Sequence, residues 1–167
     1  MKTAQKMNFV NPVKIQCFDA EGNLKWEDNT LNGIVDEGIE YLLNVGFRSA
    51  TSQINPWYIG LVDNSGFSAF ANADTMSSHS GWTEFTNYSE ATRPEWTVGA
   101  ASSRAVTNSA TVDFSINGVG GTVKGIFVTS NNTKSGTTGT LWSTAAFSSN
   151  ATVTNGDTLK VTYTISG

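Results

Sequence analysis

From Ala110 to Ile116 the chain reads ATVDFSI, with apolar or small residues at the even positions and polar ones at the odd positions. A period of two places alternate side chains on opposite faces of an extended backbone, so this stretch predicts a strand with one face in a core and the other in water. The same pattern runs through Val13 to Phe18 and again from Thr158 to Ile165. Residues suited to tight turns lie between such runs: Asp19 to Asn23, Asn117-Gly118, and Asn155-Gly156-Asp157. Val13 to Phe18 and Leu24 to Glu27 therefore read as a hairpin. Trp57 to Val62 is apolar throughout, which predicts a central strand buried on both faces. Trp96 to Val98, Thr122 to Val128 and a short segment near Gly139 to Trp142 complete the set. Roughly eight strands at this spacing predict an all-β fold, a β-sandwich or jelly roll.

One stretch departs from that period. Val35, Ile39, Leu42 and Leu43 recur at helical spacing, and Asp36, Glu37 and Glu40 beside them suit the positive end of a helix. This predicts one short helix over about 34–45, with Asn32 as its cap, Gly46 at its end, and Gly38 allowing close approach to a strand. Asp63 to Arg93 shows little strand period; a helical turn capped by Asp74 is expected within it. The residues before Pro12 are polar with isolated apolar positions, so residues 1–11 are expected to form an N-terminal arm and 12–167 a single domain. Neither an internal repeat nor a heptad pattern is present, which argues against a fibrous shaft.

Charge limits the choice of partner. Lys and Arg are scattered from Lys2 to Lys160, and the formal net charge is -4, so the basic patch that nucleic acid requires is missing. No run approaches the roughly 20 apolar residues that cross a bilayer, and the N-terminus lacks a secretory pattern. Synthesis in the cytoplasm, with no membrane partner, is the expectation. The lone Cys17 allows neither an intrachain disulfide nor a cysteine-cluster metal site, and its setting reads as a small apolar strand residue. Charged residues make up 14% of the chain, against about 25% in an average soluble protein. A surface this weakly charged suits a protein held in an assembly.

Titratable and aromatic residues gather only between Asp74 and Trp96: Asp74, His79, Trp82, Glu84, Tyr88, Glu90, Arg93, Glu95 and Trp96. A catalytic reading pairs His79 with Glu84 or Asp74 as acid and base. A single histidine does not supply the multi-histidine sets of catalytic zinc, and no Gly-x-Ser-x-Gly or phosphate-loop pattern offers another chemistry. Nothing selects two of Glu84, Glu90 and Glu95 as a glycosidase pair, and Asp63-Asn64 and Asn155 to Asp157 are too sparse for calcium. The structural reading makes Asp74 a cap, His79 a hydrogen-bonding loop residue, Trp82 and Trp96 anchors, and Arg93 the partner of Glu90 or Glu95. We therefore expect no catalytic residue, no cofactor and no metal. Trp57, Trp82 and Trp142 are the candidates for stacking on sugars, as in a glycan- or receptor-binding sandwich.

Three blocks of the chain resemble small virion-associated structural proteins of tailed bacteriophages. They are Gly22 to Trp26 continuing through the Gly33 to Phe47 helix; WYIGLVDNSGFSAFANADTMSSHSGWTEFTNYSEATRPEWTVGA from Trp57 to Ala100; and GIFVTSNNTKSGTTGTLWSTAAFSS with the closing NGDTLKVTYTIS. The resemblance implies a place in the virion and carries no catalytic residues. Among virion roles, capsid decoration fits a compact β domain that adds many weak contacts to a formed shell. The implied partners are the major capsid protein and further copies of the chain, as a homotrimer on the capsid surface. Candidate interface residues are Met1, Lys2, Met7, Phe9 and Val10 in the arm, with Trp82, Tyr88, Arg93 and Trp96. A tail or head-to-tail component is the alternative role.

Overall fold

The computed structural model describes residues 9–49 and 51–167. The expected hairpin forms from β1 (Asn11–Phe18) and β2 (Leu24–Ile34), with Val13 opposite Thr30 and Cys17 opposite Trp26. Asp19 closes its turn by accepting the backbone N–H groups of Glu21 and Asn23 at 3.1 and 2.7 Å. The other edge of β1 carries β10 (Thr158–Ser166), which in turn pairs with β7 (Val112–Ser115) and β6 (Ala105–Thr107). The alternation read in β1, β7 and β10 turns Val13, Ile15, Cys17, Phe114, Leu159, Val161 and Tyr163 into one core.

A second layer faces the first. It consists of β3 (Trp57–Asp63), β8 (Gly121–Thr129) and β9 (Leu141–Val153), with β4 (Glu84–Phe85) and β5 (Glu95–Trp96) on the outer edge of β3. The end of β2 crosses to this layer, placing Gly33 opposite Thr144 and Ile34 opposite Ser143. The result is a curled antiparallel sheet in the order β4-β3-β8-β9-β2-β1-β10-β6, an all-β, sandwich-like fold. Ile59, Leu61, Ile126, Val128 and Phe147 fill the core from the second layer.

That layer is buried on its reverse side too. Val62, Phe127 and Leu141 pack there against Val35, Met76 and Trp82, with Phe67 and Phe70 alongside. The unbroken apolar run of β3 thus has a partner for each face, as the sequence predicts. Its position differs: β3 lies beside the sheet edge, and β9 and β2 take the middle. The second apolar face of β3 is covered by residues of the 64–83 loop, so burial on both sides did not require long strands on both edges.

Ten strands are present among the described residues, against the roughly eight expected from spacing. The additions, β4 and β6, are two and three residues long, too short to display a period, and the strand expected at Trp96 to Val98 is the two-residue β5. In contrast, β9 is far longer than the segment expected near Gly139 to Trp142, because an interruption hides its continuity. Val123 pairs with Ala151 but Gly125 pairs with Ala146, so residues 147–150 arch out of register. The carboxylate of Asp28 on β2 holds that arch by accepting the Ser148 N–H at 3.0 Å and its hydroxyl at 2.6 Å.

The helix α1 (Asp36–Leu43) lies inside the expected range, but its ends are built differently. Asn32 remains in β2 and donates to the Ser143 and Tyr163 hydroxyl oxygens, both at 2.7 Å, so Val35 occupies the cap position without a side-chain cap bond. Beyond Leu43 the chain continues through Gly46 as a π-helical turn, Asn44–Arg48. Gly38 does permit the predicted close approach, because a Cβ there would overlap the Trp142 carbonyl oxygen on β9. Residues 74–79 form turns with a Thr75–Ser78 bridge where a helical turn was expected.

Candidate functional site

The residue cluster singled out in the sequence divides: Trp82 packs on the reverse face of the second layer, where β4 leads into a loop that returns at Arg93, and Tyr88 and Trp96 pack in the main core. Arg93 and Glu84 form a two-pronged ion pair: Nε donates to Oε1 at 2.9 Å and Nη2 to Oε2 at 2.8 Å. Their side chains are 1% and 6% exposed. Two further N–H groups of Arg93 donate to the carbonyls of Asn131 and Gly136, at 2.8 and 3.0 Å. The Ser135 backbone N–H donates to Glu84 at 2.6 Å, and the guanidinium lies 5.0 Å from the centre of the Phe127 ring. A buried charge needs this degree of pairing, and the pairing binds β4, the 86–94 loop and the 131–136 loop to one another.

The partner of Arg93 therefore differs from the expected Glu90 or Glu95. Glu90 instead accepts the Ser115 N–H, at 3.1 and 3.2 Å to its two oxygens, and Glu95 is exposed on β5. Glu84 faces inward because β4 pairs with β3 at Leu61 and Val62, a long-range pairing without a local sequence signal.

Asp74 and His79 serve the same loop. Asp74 accepts the Ala71 N–H at 2.9 Å and the Trp82 indole N–H at 3.0 Å. The His79 ring stacks on that indole at 3.9 Å between ring centres, and its Nδ1–H donates to the Trp82 carbonyl at 3.1 Å. His79 is hydrogen-bonded to neither Asp74 nor Glu84; Oδ2 of Asp74 accepts from Trp82, and both oxygens of Glu84 accept from Arg93. A cavity of about 250 Å³ lies among His79, Glu84, Arg93, Ser135 and Thr137. Its carboxylate is committed to a cation and a backbone N–H, so the ion pair clamps the surrounding loops. Nearby, Lys134 donates to the Tyr88 carbonyl at 2.6 Å and sits 3.7 Å from the ring centre; burial holds its ammonium below the usual lysine range. Burial, followed by the Glu84 charge, pushes the Tyr88 phenol above its ordinary value.

Of the candidate interface residues, Trp82, Tyr88, Arg93 and Trp96 are buried within this chain, so their side chains anchor loops and offer no outer surface. Trp82 and Trp142 are likewise too enclosed to be platforms for sugar stacking, at 2% and 6% exposure. Phe9 is partly buried and Val10 exposed; Met1, Lys2 and Met7 lie outside the described residues.

A second feature escaped the sequence reading. Tyr41, Trp57, Trp96 and Trp142 line an apolar groove of about 230 Å³ with Leu42, Val45, Ile54 and Ile165. Trp57 joins the set, with ring centres 5.3 Å from Tyr41 and 6.0 Å from Trp142, and lies opposite Trp96 in the β3–β5 pairing. On the same helical stretch, Leu43 and Phe47 point into solvent. The one advance signal was the concentration of Trp at strand ends, which does not reveal that they converge.

Among the described residues, no three His, Cys, Asp or Glu side chains come together as a metal-binding group, and no helix is long and apolar enough to cross a membrane. No protein-family model matches the chain, and comparison with curated proteins gives no match.

Proposed function

We propose that the chain is a non-catalytic structural protein of a tailed-bacteriophage particle, acting as a decoration protein that bridges major capsid protein subunits on the head. The observation that carries this reading is the division between an internally engaged polar cluster and separated apolar tips. Leu31, Phe47 and Val119 are 64%, 81% and 93% exposed, one on β2, one beyond α1 and one in the β7–β8 turn. Single exposed apolar residues are ordinary, but several at separate points suit a protein held by repeated weak contacts across a lattice. A homotrimer would present each tip three times and multiply that retention. Low charge density fits wet, adaptable contacts of this kind.

Co-sedimentation with expanded tailed-phage shells tests the reading. Binding at a fixed ratio to the major capsid protein, weakened at least tenfold by Phe47→Asp combined with Val119→Asp, supports it. Absence of binding by the unaltered protein contradicts it. A small fixed copy number, recovered only with tails, points to the tail role.

A further inference from the structure

We propose that Asn117 is a site of spontaneous covalent modification, its side-chain amide converting to a carboxylate ahead of the other asparagines that precede glycine. The chain has three Asn-Gly pairs, at Asn32, Asn117 and Asn155. In such a pair the glycine backbone nitrogen can attack the asparagine side-chain carbonyl carbon, because no Cβ screens the approach. A C–N bond forms there, the bond to the side-chain nitrogen breaks, and ammonia leaves carrying the proton of the attacking N–H. The succinimide ring so formed adds water at either carbonyl and opens to aspartate or isoaspartate. Water is the only co-reactant.

The fold treats the three pairs differently. Asn117 and Gly118 are both exposed in the β7–β8 turn. The Gly120 N–H closes that turn on the Asn117 carbonyl at 3.3 Å, a long bond that holds it loosely. Gly118 is the second residue of the turn, at φ 62°, so its N–H is not the one that closes it and has no backbone acceptor among the described residues. At Asn155 the attacking group is engaged: the Gly156 N–H donates to the Ile116 carbonyl at 3.0 Å, and attack has to break that bond. At Asn32 the leaving group is engaged: Nδ2 donates to the Ser143 and Tyr163 hydroxyl oxygens, both at 2.7 Å, while Gly33 is held opposite Thr144 in the sheet. The stretch from Ile116 to Val123 has no charged residue. Conversion therefore puts its first charge there, two residues from Val119, which is 93% exposed, and adds one negative unit to the formal net charge of -4.

Full-length protein aged in mildly alkaline buffer, followed by isoelectric focusing and peptide mass spectrometry, supplies the test. The expected result is a more acidic species whose altered peptide carries aspartate or isoaspartate at position 117. Conversion at Asn155 and Asn32 should be slower by about fivefold or more, the factor that one net hydrogen bond is worth. In denaturant, where the fold no longer distinguishes the pairs, the three rates should converge. Asn117→Gln, whose cyclisation needs a larger and slower-forming ring, should remove the early acidic species while circular dichroism stays unchanged. Equal or faster conversion at Asn155 or Asn32 in the folded protein overturns the proposal. So does an Asn117 that stays intact under conditions where the denatured chain converts. The measurement uses the protein alone, so it stands or falls separately from the decoration reading.

Discussion

Glu84 and Arg93, nine residues apart in sequence, meet as a buried bidentate ion pair on the reverse face of the second layer, at 2.8 and 2.9 Å. Removing one member leaves the other charged and desolvated, which costs about 3–5 kcal/mol in comparable pairs. Arg93→Ala and Glu84→Ala should each lower the unfolding free energy by about that amount in urea titration. Replacing both residues by methionine should recover most of the loss, because an apolar pair has no charge to leave unpaired. Equal, additive losses would show that the two act separately.

Asp157 carries a second test, through pH. Burial opposes its charge, but the Lys25 ammonium at 2.6 Å and the Thr154 N–H at 2.8 Å more than compensate and hold the carboxyl below its ordinary 3.8. A carboxyl depressed on folding contributes stability that is fully present above the unfolded value and is lost as pH falls through the folded one. Unfolding free energy should therefore decline on acidification below about pH 4, and Asp157→Asn should flatten that decline. Denaturant titrations across the acid range measure both slopes.

Cys17 lies against the same carboxylate. Burial and then the Asp157 charge push its thiol up to about 12, and the side chain is fully enclosed between β2 and β10. It should resist alkylation by iodoacetamide at pH 8 in the folded protein and react at the ordinary rate in denaturant. Mass spectrometry of the labelled chain reads the difference directly.

Gly38 sets two physical rules against each other. Alanine is the better helix former by about 1 kcal/mol, yet a Cβ at this point of α1 would overlap the Trp142 carbonyl oxygen. Backbone on β9 cannot step aside as a flexible side chain does, so Gly38→Ala should destabilise by about 1–3 kcal/mol in thermal or denaturant unfolding. A gain in stability would mean that α1 packs less closely on β9.

These tests separate what was legible in the sequence from what was not. Alternation identified β1, β7 and β10 because each has one wet face, and the glycine in the helix forecast the close approach at Trp142. The cluster from Asp74 to Trp96 was found, and Trp82 and Arg93 within it are buried and hold its loops. The partner of Arg93 was not found, since β4 is two residues long and its orientation is fixed only by pairing with β3. The continuity of β9 was hidden by Phe147-Ser148-Ser149-Asn150, whose arch is held from across the sheet by Asp28. The convergence of Tyr41, Trp57, Trp96 and Trp142 joins a helix to three strands, a relationship that no local period records.

The most direct test of the decoration account is electron cryomicroscopy of expanded tailed-phage heads incubated with the purified protein. The account predicts added density at repeated lattice positions on the outer head surface, in groups of three, with Phe47 and Val119 turned toward the major capsid protein. Density confined to a ring at the tail axis, or a head surface without added density at saturating protein, would contradict it.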